Sequence, residues 1–172
     1  MTLRATIGKY LPDLVFGAND GIVTTLAVVS GVVGASLSST VILILGFANL
    51  VADGFSMGAS NVLSRRSDTG PDLLPPLSVV SHHGLATFLG FVIAGVVPLL
   101  AYCFPLPKDI QFEVAGLLAL ATLFIVGASR AAFTKRHWLP AGMEMLVLGS
   151  IAAAIAYGIG ALGAAVIRHT GP

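Results

Sequence analysis

Residues 14–35 read LVFGANDGIVTTLAVVSGVVGA and residues 41–63 read VILILGFANLVADGFSMGASNVL. Each stretch has the roughly 20 apolar residues that a helix needs to cross the hydrocarbon core of a bilayer. Each also carries a carboxylate well inside, Asp20 and Asp53. Three further stretches have the same apolar length, at residues 84–104, 110–129 and 141–167. Of the 172 residues, 56% are hydrophobic and 10% charged, against about 25% charged in soluble domains. The mean hydropathy is +0.94. A soluble monomer of this size buries at most about 70% of its chain surface, too little to hide so much apolar side chain. A soluble enzyme is therefore excluded. A nucleic-acid module is excluded too, since the net charge of +1 supplies no basic field for a nucleic-acid partner. The single Cys103 rules out an intrachain disulfide framework and a Cys-based zinc or iron–sulfur site. The predicted fold is all-α: a polytopic membrane protein with five transmembrane helices, forming one transmembrane domain over residues 1–172 in contact with lipid.

The breaks between spans are marked. Ser36 to Thr40 reads as a short turn, so the first two spans form a tight antiparallel pair. Ser64 to His83 holds Arg65, Arg66, Asp68, Asp72, Pro71, Pro75 and Pro76, and Pro105 to Asp109 ends the third span. Arg130 to Pro140 holds Lys135, Arg136 and His137, with Trp138 as an interfacial anchor. With the N-terminus in the cytoplasm, the inner segments hold Arg4, Lys9, Arg65, Arg66, Arg130, Lys135 and Arg136, and the outer ones only Lys108 and Arg168. This positive-inside bias predicts a cytoplasmic N-terminus and a C-terminus outside or in a lumen. Met1 to Asp13 lacks the features of a cleavable signal.

Acids inside spans are costly, roughly 2.5–3.5 kcal/mol each at mid-helix, and mark either function or pairing within a bundle. Asp20, Asp53 and Glu144 are such acids, while Glu113 lies at the outer edge of its span. In the second span Asn49, Asp53, Ser56, Met57 and Ser60 share one helical face, as do Gly17, Asp20, Gly21 and Thr24 in the first. The small-residue pairs Gly17/Gly21 and Gly54/Gly58 fit close helix packing. Counting about 1.5 Å per residue from the polar boundaries puts Asp20 and Met57 roughly 10 and 13 Å from the cytoplasmic edge, Glu144 roughly 6 Å and Asp53 roughly 20 Å. Graded acids suit a cation or proton crossing. Carboxylates and hydroxyls favour Mg, Ca and Mn, and a thioether tilts the set toward Fe(II), Mn(II) or Co(II). Taken alone Met57 reads better as a core gap-filler; sharing a face with Asp53 and a depth with Asp20 is what makes it a ligand candidate. No predicted span contains His. His82 and His83 stand at the entrance of the third span, where a solvated loop competes with metal recruitment. At most one of Met143 and Met145 can share a site with Glu144. No nucleophile–base set appears, so the protein is not read as an enzyme, and no tightly bound cofactor is expected.

The stretches Val15–Thr25 and Leu50–Gly58 resemble the first- and second-helix signatures of the vacuolar iron transporter family, which includes calcium-cross-complementer-like and nodulin-21-like proteins. Gly142–Gly149, followed by Tyr157 and Gly160, resembles its fifth helix. The resemblance implies a five-helix protomer in a homodimer. It implies proton-coupled export of Fe2+, and often Mn2+, from the cytosol along a path between the two first helices. Asp20 matches the family's metal-binding Asp and Met57 its metal-binding Met. Asp53 and Glu144 lie in matching motifs, as a candidate relay and a candidate entrance ligand; Asn49, Ser56, Ser60 and Thr24 line the expected pathway. Many members carry a Glu-rich cytoplasmic domain between the second and third helices; here only Ser64 to His83 fills that place, as in the short, nodulin-like branch. The resemblance implies a bacterial inner or vacuolar membrane. Export of another inorganic or organic cation, and a non-transporting membrane partner, are the competing readings.

Overall fold

The computed structural model describes residues 3–68, 74–131 and 137–170. Lys135, Arg136, Asp72 and Pro71 lie outside the described residues. Five helices follow in chain order: α1 (Leu3–Gly34), α2 (Ser39–Ser67), α3 (Leu77–Cys103), α4 (Gln111–Ser129) and α5 (Trp138–Thr170). All five are long and apolar enough to cross a membrane, and the described residues form no strand. The polytopic all-α reading holds.

The helices overrun the apolar windows. The first begins at Leu3, the second continues to Ser67 and the third starts at Leu77, seven residues before Gly84. Hydropathy finds the part of a helix that prefers lipid; backbone hydrogen bonding continues into the interface wherever polar side chains find partners. One consequence corrects the sequence reading: His82 and His83 are inside a helix that can span the membrane, not in a loop before it.

Helix α1 is the hub. It touches all four other helices and packs most extensively on α3; α2 leans on α3 and α1, and α5 on α1 and α4. A Cβ at Gly17 would run into the carbonyl of Thr87, one at Gly21 into that of Phe91, and one at Gly90 into that of Leu14. The backbones of α1 and α3 are thus in direct contact. On the other flank, added Cβ atoms at Gly34 and Gly160 would meet the carbonyls of Tyr157 and Gly31. Gly54 and Gly58 pack against Phe88, Phe91 and Gly84 of α3. The close helix packing expected of Gly17 and Gly21 is made with α3 of the same protomer, because small residues let the nearest apolar helix close in.

Around these contacts Val29, Ile42, Leu50, Phe91, Leu99 and Ala115 form one core cluster, and Ile22, Leu26, Ala94, Ala119 and Leu123 a second. The turn from α1 to α2 is closed by the Leu37 amide donating to the Val32 carbonyl at 3.0 Å, with Ser36 at φ 59°. Between α2 and α5, Pro12 and Phe16 of α1 remain exposed.

Candidate metal pathway between the first two helices

The register of α1 against α2 is fixed at one end by a polar knot. Asp13 of α1 is buried, 5% exposed. Its Oδ1 accepts hydrogen bonds from Asn61 Nδ2 at 2.9 Å and from Arg65 Nη2 at 2.8 Å; its Oδ2 faces His83 Nδ1 at 2.6 Å. Arg65 Nε donates to Asn61 Oδ1 and Asn61 Nδ2 to Thr87 Oγ1, both at 2.8 Å. Three helices are tied by side chains that satisfy one another, which makes buried polar groups tolerable. The sequence reading missed Asp13, Asn61, Arg65, His83 and Thr87 as a unit. The signal was present: Asn49, Asp53, Met57, Asn61 and Arg65 recur every four residues, and the ladder runs past the point where hydropathy ends the span.

Seven residues along α1 from Asp13, and eight back along α2 from Asn61, the antiparallel register brings Asp20 and Asp53 to one level. The two acids stand about 10 and 12 Å of helix from the knot, on the reckoning of about 1.5 Å per residue. Met57 lies a turn nearer the knot and shares a groove with Phe16. The sequence-based depths are corrected accordingly. Asp20 is level with Asp53 rather than with Met57, because Asp13, from which its depth was counted, is bonded to Asn61 and so lies more than a turn deeper than Arg66.

The groove has a volume of about 570 Å³ and is lined by Phe16, Ser56, Met57, Ser60, Arg65 and Asp68, among others. It presents hydroxyls on its α2 wall and ends at the knot, since Asn61 and Arg65 belong to both. Met57 is half-buried and also packs against the first core cluster. Further along, Thr25 Oγ1 and Asn49 Nδ2 are buried with no hydrogen-bond partner. Such groups are costly unless water or a ligand meets them. Thr24 is partly buried.

Glu144 is elsewhere. It is exposed and lines a separate cavity of about 420 Å³ with Asn19, Arg130 and Met145, on the α5 side of α1. Phe16 forms a wall of both cavities. The register set by Asp13 and Asn61 thus leaves Asp20 and Asp53 at a similar level, with Met57 a turn nearer the knot in the groove. It does not bring Glu144 to them. Among the described residues no cluster of three or more His, Cys, Asp or Glu could enclose a metal ion.

A bundle of membrane-length helices with an acid-bearing polar groove has the architecture of a membrane transporter. The VIT family pattern matches residues 11–71 and 73–161, and the chain belongs to that family. It is 25% identical to a vacuolar iron transporter of Toxoplasma gondii, over 91% of this chain and 75% of the relative. It is 29% identical to vacuolar iron transporter homolog 3 of Arabidopsis thaliana, over 87% of this chain and 81% of the relative. Identity to vacuolar iron transporter 2 of Oryza sativa is 22%, over 90% of this chain and 87% of the relative. These relatives are named as transporters, in keeping with a protein that is not an enzyme.

Proposed function

We propose that the protein is a proton-coupled exporter of divalent metal cations, Fe2+ and/or Mn2+, out of the cytosol. The observation that carries this reading is the convergence of Asp20 and Asp53 at one level above a polar groove. Two like charges in apolar surroundings repel, and a divalent cation between them relieves both the repulsion and the desolvation. The names of the relatives support iron as cargo. A carboxylate must be deprotonated to ligate well, so proton and metal exclude one another there. Metal loads from the near-neutral cytosol past Ser60 and Met57, and protons arriving from an acidic far side displace it. Met57 offers a polarisable sulfur that favours Fe(II) over Mg(II). Glu144, in its own cavity, serves as a second point of cation attraction rather than as a ligand of the same site.

The single transmembrane unit acts as a homodimer, in a bacterial inner membrane or a vacuolar one, with its N-terminus in the cytosol and its C-terminus outside or in the lumen. The second copy covers the Phe16 strip of α1 and the exposed edge of α2 that bears Ser56 and Ser60, polar groups that lipid does not satisfy. The alignment with the rice relative spans 215 positions, more than the 172 residues here. It thus sets residues of the relative opposite gaps in this chain, which supports the short-branch reading.

The test is transport in proteoliposomes with an acidic trans compartment. Fe(II) or Mn(II) moves, Asp20→Asn abolishes the movement, and Met57→Leu weakens discrimination against Mg(II). Movement indifferent to the pH gradient, with Asp20→Asn still active, overturns the mechanism. Movement of an organic cation in place of metals favours the alternative cargo.

A further inference from the structure

The knot does more than join three helices: it fixes the tautomer of a buried imidazole, and a second imidazole beside it is fixed as well. His82 Nδ1 is 2.6 Å from the carbonyl oxygen of Ser78. A carbonyl only accepts, so the ring proton is on Nδ1 and the lone pair of the neutral ring is on Nε2. His83 Nδ1 is 2.6 Å from Asp13 Oδ2, and Asp13 is held as an acceptor by the ion pair with Arg65 at 2.8 Å. His83 therefore also donates through Nδ1, and the lone pair of its neutral ring is on Nε2. One imidazole bonded to a backbone carbonyl and one to a carboxylate is the outer arrangement that prepares histidines for a metal. Neighbouring residues on a helix diverge, yet both rings gather on Tyr10, with centroids at 6.2 Å for His82 and 4.8 Å for His83.

We infer that His82 and His83 form a docking site for a divalent first-row transition metal, with Nε2 of each ring as ligands and water in the remaining positions. His82 is exposed and meets the ion first; His83 is 6% exposed and orients it. Neutral imidazoles select Fe, Co, Ni, Zn or Cu over Mg and Ca. The surrounding charges keep the site weak and exchangeable. Arg65 is neutralised by Asp13, while the ammonium of Lys9 stands 5.4 Å from the Tyr10 ring centre. The site adjoins the groove through shared groups, since Asn61 and Arg65 both bond Asp13 and line the path to Met57. For a chain with no Glu-rich capture domain it supplies cytosolic capture. That purpose rests on the transport reading; the binding chemistry does not.

The experiment measures Co(II) binding to the untagged, full-length protein in detergent near pH 7.5, by visible absorption and calorimetry. The background is Asp20→Asn, so that failure of the transport site cannot masquerade as failure of this one. We expect one Co(II) per chain, not displaced by excess Mg(II). His82→Gln lowers affinity at least tenfold with a nearly unchanged melting temperature, because its exposed ring hydrogen-bonds only its own helix. Asp13→Asn, which frees the His83 tautomer, lowers affinity roughly 10–100-fold. The double variant His137→Gln, His169→Gln binds as the parent does. Unchanged affinity in His82→Gln, equal competition by Mg(II), or loss of binding in the His137/His169 variant overturns the site.

Discussion

Replacing Asp13 by Ala strips the knot of its common acceptor, and the cost divides unevenly among its three partners. The His83 side chain is 8% exposed and that of Arg65 41%. Losing its acceptor strands the imidazole N–H in the bundle, a penalty of about 1–3 kcal/mol. Arg65 turns to water and loses under about 1 kcal/mol, as exposed pairs do. Asn61 keeps Thr87 as a partner for its amide, so its loss is near the average of about 0.6 kcal/mol for a hydrogen bond in a membrane bundle. The sum is about 2–4 kcal/mol, or roughly 5–15 °C in melting temperature for a chain of this length. Thermal unfolding in detergent measures it, and double-mutant cycles apportion it. Coupling of Asp13 to His83 should exceed coupling to Arg65. A loss below about 1 kcal/mol, or a larger coupling to Arg65, refutes the premise that burial, not formal charge, decides what the knot contributes.

Gly21→Ala drives a methyl into the Phe91 carbonyl and should destabilise the protomer by about 1–3 kcal/mol or more; a stability equal to wild type would place the α1–α3 contact elsewhere. Gly158→Ala meets nothing within 4 Å and should gain about 0.5–1 kcal/mol through helix propensity, read in the same melting experiment. Asp53→Asn removes a charge facing Asp20, so the metal-free protein should melt higher while the stabilisation by added Fe(II) or Mn(II) shrinks; an unaltered metal response would remove Asp53 from the path. In a Cys103→Ser background, cysteines at Ser38 and Thr170 should react with an impermeant thiol reagent on intact cells and one at Ser67 should not, and the reverse pattern inverts the orientation.

Much was legible in the chain itself. Five apolar runs of bilayer length admit only helices, since lipid offers backbone groups no partners. The acids at 20 and 53 stood out because nothing in a bilayer rewards them. What the chain could not show was neighbourhood. Gly17 and Gly21 announce close packing, but which helix approaches depends on the packing of all five, and α3 proves to be the one. The depths of Met57 and Asp53 followed from taking the charged ends of the first two spans as level with one another. The true register is set by Asn61 and Arg65 reaching Asp13 across helices; their four-residue spacing marks one face of α2 but not the partner that face meets. His83 looked solvated because the residues around it are polar; only the tertiary structure supplies a carboxylate from 70 residues away that makes burying it tolerable. Composition and periodicity decide what each helix is, because the solvent they respond to is uniform along its length. Which polar groups meet is decided by the fold, because pairing between helices depends on distances that sequence separation does not encode.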